Sequence, residues 1–212
     1  MATLTGPRNH WFLWGLIAIS TVIELVLLLS DFSLGLPARL RPLAYEYGGF
    51  WPGLLDQWTP NYAAQPGLMF ATYGFLHAGP VHLVVNMITL WSLGGAVIER
   101  VGWVGFAVLY VGALIGGAMG FALLAPDLRP MVGASGALFG LAGGLLAWAY
   151  VDRYAAQLGL WPILRAALLL VALNLVLWWA MNGQLAWQTH LGGFVAGWII
   201  ALLVDPRARG AQ

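Results

Sequence analysis

Serine, histidine and asparagine recur at the openings of three apolar stretches that lie far apart in the chain. His82 and Asn86 open one, Gly133-Ala134-Ser135-Gly136 opens a second, and His190 stands near the start of the last. A serine hydroxyl beside an imidazole is the pair that nucleophilic acyl transfer needs, because histidine titrates near neutrality and can take the hydroxyl proton. At a helix start the serine also meets free backbone amides and the positive helix end, which suit a developing oxyanion. Ser135 has a second reading as an N-cap that satisfies one free amide. His82 and Asn86, four residues apart, share one helix face. They can donate to an oxyanion beside the Ser135 amide, or they can hydrogen-bond the loop before Ser135 and lock it.

Absences narrow the chemistry further. The chain has no cysteine, and its nine basic residues are all arginine. Thiolate nucleophiles, disulfides, cysteine metal clusters and a serine-lysine dyad are therefore excluded, and His190 has no rival as a base. No carboxylate falls on the same halves of these three stretches, so the expectation is a Ser-His dyad without an acid, with the group that orients the imidazole left open. His77 and His82 are five residues apart, about 140° around a helix, which disfavours a shared metal ion. No metal and no cofactor is expected. His77 is expected to tie down the loop in front of the helix that Gly79-Pro80 turns into.

These residues need a scaffold, and composition says which kind. Of 212 residues, 61% are hydrophobic and 8% charged, against about 25% charged in soluble domains. Mean hydropathy is +0.82. Such a chain belongs in a bilayer, and its net charge of +1 excludes an electrostatic nucleic-acid binder. A hydrocarbon core about 30 Å thick needs runs of about 20 apolar residues. Six are readable: Trp11–Ser30, His82–Ile98, Trp103–Leu124, Ser135–Tyr150, Ile163–Met181 and Trp187–Val204. The expected fold is all-α, a polytopic membrane protein with a single six-helix domain over 11–204. Residues 1–10 form a cytoplasmic N-terminus and 205–212 a cytoplasmic tail. A long first loop, 31–76, is rich in Pro, Gly and Trp, with Trp51 and Trp58 suited to headgroup depth.

With the N-terminus inside, Arg8, Arg100, Arg153, Arg165, Arg207 and Arg209 are cytoplasmic, and Arg39, Arg41 and Arg129 are outside. This positive-inside bias favours N-in and C-in, and the second, fourth and sixth spans then all start on the outer side. The 17 residues from Ser135 to Asp152 make roughly 25 Å of helix, short of the hydrocarbon thickness. Ser135 is thus recessed, and the stretch Asp127 to Ala134 dips into the bundle around a wet cavity. Glycines at four-residue intervals, Gly112-Gly116-Gly120, Gly136-Gly140-Gly144 and Gly193-Gly197, mark faces where helix backbones can approach.

In these motifs the chain resembles the rhomboid family of intramembrane serine proteases. His77-Ala78-Gly79 with His82 and Asn86, then Gly133-Ala134-Ser135-Gly136, then His190 with Gly193 and Gly197 follow the family's order from about Thr72 onward. The resemblance implies Ser135 as nucleophile, His190 as general base, and His82, Asn86 and the Ser135 amide as oxyanion hole. Gly133, Gly136, Gly193, Gly197, His77 and Phe139 would support them, and Glu99-Arg100 would have a structural role. It further implies transmembrane protein substrates cut near the membrane surface, lipid surroundings and a bacterial inner membrane with the site open to the outer side. Substrate would enter beside Ile163–Met181 under the loop Asn182 to Ala186. The sequence specifies no oligomeric state.

Two positions depart from the family pattern. Phe139 stands where a tyrosine often packs against the base, and can stack but not hydrogen-bond. Gln65-Pro66-Gly67-Leu68 does not supply the Trp-Arg pair that often anchors the first loop. Other readings carry less. A His-Glu-x-x-His zinc motif is missing, and every aspartate lies in a loop or at a span end. A transporter lined by Glu24, Ser135 and His190 would need an internal repeat that the chain does not show. A non-catalytic rhomboid-like scaffold that binds membrane clients has no need of both Ser135 and His190.

Overall fold

The computed structural model describes residues 9–125 and 129–205. Arg8, Asp127, Arg207 and Arg209, most of the N-terminus 1–10 and most of the tail 205–212 lie outside the described residues. Among the described residues seven helices follow in order: α1 (Trp11–Asp31), α2 (Leu40–Gly48), α3 (Gln65–Thr72), α4 (Pro80–Leu124), α5 (Ser135–Ala155), α6 (Trp161–Ala180) and α7 (Trp187–Val204). Two 3-10 turns, Pro52–Leu55 and Tyr73–Phe75, lie in the first loop. Among the described residues the only β feature is a bridge between Phe50 and Met131.

Four helices, α1, α4, α6 and α7, are long and apolar enough to cross a membrane. At 45 residues, α4 would be about 68 Å long if straight, more than twice a hydrocarbon core. It is broken at Gly102, where φ is 73° and ψ is 176°, a conformation open to glycine and closed to other residues. Chain reversal follows from a contact: a methyl group on Gly94 would meet the Phe106 ring at 3.1 Å, whereas twelve residues of straight helix would separate them by about 18 Å. The second and third apolar runs are therefore the two arms of α4. The remaining run, α5, is rich in glycine and alanine and buries nine of its residues, among them Gly140, Gly144 and Trp148. It is the least apolar of the six because it fills the middle of the bundle, and it runs on to Ala155, past the expected end at Tyr150. The first loop is not merely long: it folds into α2 and α3 with their 3-10 turns.

Helix α5 is held between α4 and α7 by missing side chains. A methyl on Gly193 would collide with the carbonyl of Gly136, and one on Gly197 with the carbonyl of Gly140. Backbone touches backbone along this seam. At one end of it an ionic clasp closes the bundle. Arg100 donates from Nη1 to Asp152 at 2.7 Å and from Nη2 to Asp152 and Asp205, both at 3.1 Å. Its guanidinium lies 5.0 Å over the Trp148 ring, and Trp148 donates to the Ala201 carbonyl at 2.8 Å. The first arm of α4, α5 and the end of α7 are thereby tied. This is the structural part expected of Arg100; Glu99 instead faces His10 at 4.0 Å.

The other end is anchored by Arg41 of α2. It forms paired bonds to buried Glu24 of α1 at 2.8 and 3.1 Å, and donates to Asp31 at 2.7 Å and to the His77 carbonyl at 3.0 Å. Burial alone would lower the Arg41 pKa, but the bonds to Glu24, Tyr45 and Asp31 outweigh it and raise it. Arg41 therefore performs the loop anchoring for which the sequence offered no Trp-Arg pair. It also accounts for Glu24, only 1% exposed, as one half of an ion pair and not as part of a transport path. Arg41→Ala strands that carboxylate in the bundle and is expected to cost about 3 kcal/mol, read as a lower unfolding midpoint in detergent. An unchanged midpoint would refute the anchoring role.

Candidate active site

The first loop builds one wall of the site. Phe50 and Met131 exchange backbone hydrogen bonds of 2.9 Å each, and the Gly133 amide donates to the Tyr73 carbonyl at 2.9 Å. Tyr73, fully buried, donates its hydroxyl to the Leu114 carbonyl at 2.7 Å. The stretch before Ser135 is thus drawn into the bundle, with Met131 and Ala134 buried, and the Met131 amide and carbonyl and the Gly133 amide find backbone partners in the first loop. Gly133 has φ 123°, and a side chain there would strike the His82 ring at 2.6 Å. Only glycine lets this backbone pass so close to His82 and Asn86.

Ser135 is the first residue of α5, and the N-cap is Ala134, with no side-chain cap. The N-cap reading of Ser135 is therefore not what the structure shows. Its Oγ lies 2.9 Å from Nε2 of His190, the fourth residue of α7. The backbone contact of Gly136 with Gly193 sets this reach, because each glycine is one or three residues beyond the polar side chain on its helix. Phe139 stacks on the imidazole with ring centroids 4.2 Å apart and planes 8° apart. His190 is 4% exposed.

The opposite ring nitrogen, Nδ1, lies 2.6 Å from Oδ1 of Asn174. Asn174 belongs to α6 and was not singled out by the sequence reading. The available signal was an amide in the middle of an otherwise apolar run, where an unpaired polar group is costly.

His82 accepts the Ala78 amide on Nδ1 at 3.1 Å, so its neutral ring carries the proton on Nε2. Asn86 is 4% exposed, and its Nδ2 is buried with no hydrogen-bond partner among the described residues. The described backbone bonds of the stretch before Ser135 go to Phe50 and Tyr73, so the locking part considered for His82 and Asn86 is filled by the first loop. His77 is tied through its backbone carbonyl, which accepts from Tyr45 at 2.7 Å and from Arg41. Its ring packs edge-on against His82 at 5.2 Å. Burial, and then the neighbouring His82, push His77 down to about 4, so it adds no charge beside His82 at neutral pH.

The Rhomboid domain profile matches residues 66–207, from α3 through α7, and so includes His77, His82, Asn86, Gly133, Ser135, Phe139, Asn174 and His190 but not Arg41, Tyr45 or Phe50 of the first loop. The chain belongs to the rhomboid family. RHOMBOID-like protein 4 of Arabidopsis thaliana is 35% identical over 144 residues, 66% of this chain and 35% of that protein. Rhomboid protease GluP of Bacillus subtilis (strain 168) is 32% identical over 136 residues, 64% of this chain and 26% of GluP. Inactive rhomboid protein 2 of Homo sapiens is 31% identical over 139 residues, 62% of this chain and 15% of that protein. The chain thus spans about a quarter to a third of the length of the first two. Rhomboid relatives carry names of both active and inactive proteins, so membership alone does not decide activity. With its apolar helices, this rhomboid is an integral membrane protein, and the family acts on partners within membranes.

Proposed function

We propose that this rhomboid is an intramembrane serine endopeptidase that hydrolyses peptide bonds in or near transmembrane segments of other proteins. The observation that carries the reading is the 2.9 Å contact between Ser135 Oγ and His190 Nε2, between helices whose backbones touch. In the proposed reaction, Oγ attacks the scissile carbonyl carbon while its proton passes to His190 Nε2. The tetrahedral oxyanion accepts from the Ser135 amide, His82 Nε2 and Asn86 Nδ2, and the unpaired Asn86 donor has no competing bond to give up. Collapse breaks the C–N bond, and the imidazolium protonates the leaving amine. A water, deprotonated by His190, then releases the acyl group and restores the hydroxyl.

Residues 11–204 make up the single domain of this reading. The arginine distribution orients it with both termini cytoplasmic and Ser135 toward the outer side of a bacterial inner membrane. Helix α6, none of whose 20 residues is buried, is the side on which a transmembrane substrate is received.

A fluorophosphonate probe tests the chemistry without a known substrate. The wild-type protein in detergent should form one phosphonyl adduct at Ser135 with loss of fluoride. His190→Ala should slow the adduct by at least about 10²-fold, the usual worth of a general base. A folded wild-type protein that acquires no adduct would move the assignment to a non-catalytic, client-binding scaffold; the human relative's name says that it is inactive.

A further inference from the structure

Asn174 makes two hydrogen bonds, and together they fix its orientation. Its Nδ2 donates to the Leu170 carbonyl one turn back on α6 at 3.1 Å. That leaves Oδ1 facing His190 Nδ1 at 2.6 Å, and an amide oxygen can only accept. The neutral imidazole must then carry its proton on Nδ1, leaving the Nε2 lone pair directed at the Ser135 hydroxyl. The opposite tautomer would set an N–H against that hydroxyl and a lone pair against the Asn174 oxygen. Phe139 holds the ring plane but, having no polar atom, cannot choose between the two forms. No carboxylate is among the hydrogen-bond partners described for His190.

We infer that Asn174 is the positioning residue of the site: it selects the Nδ1–H tautomer and the ring orientation of His190, turning a Ser-His pair into a Ser-His-Asn relay whose third member comes from α6. This rests on the proteolytic reading given above. Its function is that of the third group in any base-activated nucleophile, which orients the base without touching substrate. It also means that the base is set by a helix whose own side chains are nowhere buried.

The test is nitrogen NMR of protein labelled with 15N-histidine in detergent, at about pH 8 where a histidine of ordinary pKa is neutral. His190 is assigned from the signal missing in His190→Ala. In the wild type, Nδ1 should resonate as the protonated nitrogen and Nε2 as the unprotonated one. In Asn174→Leu, of similar volume, that preference should be lost. Fluorophosphonate labelling of Ser135 should slow about 10²-fold, while KM for a cleaved reporter stays within about twofold, since uniform binding is untouched. A wild-type His190 protonated on Nε2, or an Asn174→Leu variant with unchanged tautomer or unchanged labelling rate, would overturn the inference. The wild-type spectrum answers even if Asn174→Leu fails to fold. Because the spectrum reads the imidazole whether or not Ser135 reacts, failure of the relay and failure of the protease reading give different results.

Discussion

Ser135→Ala and His190→Ala are each expected to reduce cleavage of a transmembrane reporter in liposomes by at least about 10³-fold, and the double variant is expected to be no worse than either. The non-additivity is the informative part. Oγ and Nε2 share one proton-transfer step, so removing the acceptor makes the donor useless and the reverse holds equally. Ser135→Ala loses one ground-state hydrogen bond, worth about 1 kcal/mol, so its unfolding midpoint should hardly move, whereas His190→Ala also gives up the bond to Asn174 and the stacking on Phe139 and should unfold at a lower midpoint. Activity and stability therefore part company most clearly at Ser135. Cleavage at wild-type level by either variant would end the mechanism, and effects that add in the double variant would mean that the two groups act in separate steps.

Gly193→Val is expected to do the opposite, unfolding the protein or separating its central helices, at a cost of more than about 4 kcal/mol. An overpacked core usually relaxes by turning a side chain. Here the atoms in the way are the Gly136 carbonyl oxygen and carbon, which belong to a hydrogen-bonded helix and cannot rotate aside. Relief requires α5 and α7 to move apart, and Ser135 and His190 ride on those helices. Thermal unfolding in detergent reads the first effect, and fluorophosphonate labelling of any folded fraction reads the second. A Gly193→Val protein of normal stability would show that the helices do not touch as described.

How much of this was legible beforehand depended on the range of the interaction. The apolar passes were readable because a bilayer imposes a length and a composition on each one locally, and even the sharp reversal at Gly102 fell between two of them. That His82, Asn86, Ser135 and His190 gather at one end of the bundle was readable for the same reason, since each stands near the opening of a pass and alternate passes open on one side. The short helices α2 and α3 left no such mark, because in the first loop tertiary contacts and not periodicity hold them. Arg41 finds Glu24 seventeen residues back, along a path that only the folded loop defines. Asn174 was missed for the converse reason: a single amide inside an apolar pass shows that a partner must exist, but not that the partner is an imidazole on the next helix. The N-cap reading of Ser135 was open because a serine at a helix start looks the same whether its hydroxyl turns back to the backbone or across to another helix.

The seam between α5 and α7 limits how such a chain can vary. Most helix pairs keep their distance through side chains, so their separation can drift by a methylene at a time as sequences change. Where one peptide chain rests on another, no smaller residue than glycine exists to loosen the fit and any larger one wedges it open. The gap between hydroxyl and imidazole is accordingly dictated by the thickness of the polypeptide itself, which leaves the encircling helices free to diversify while that measurement stays constant.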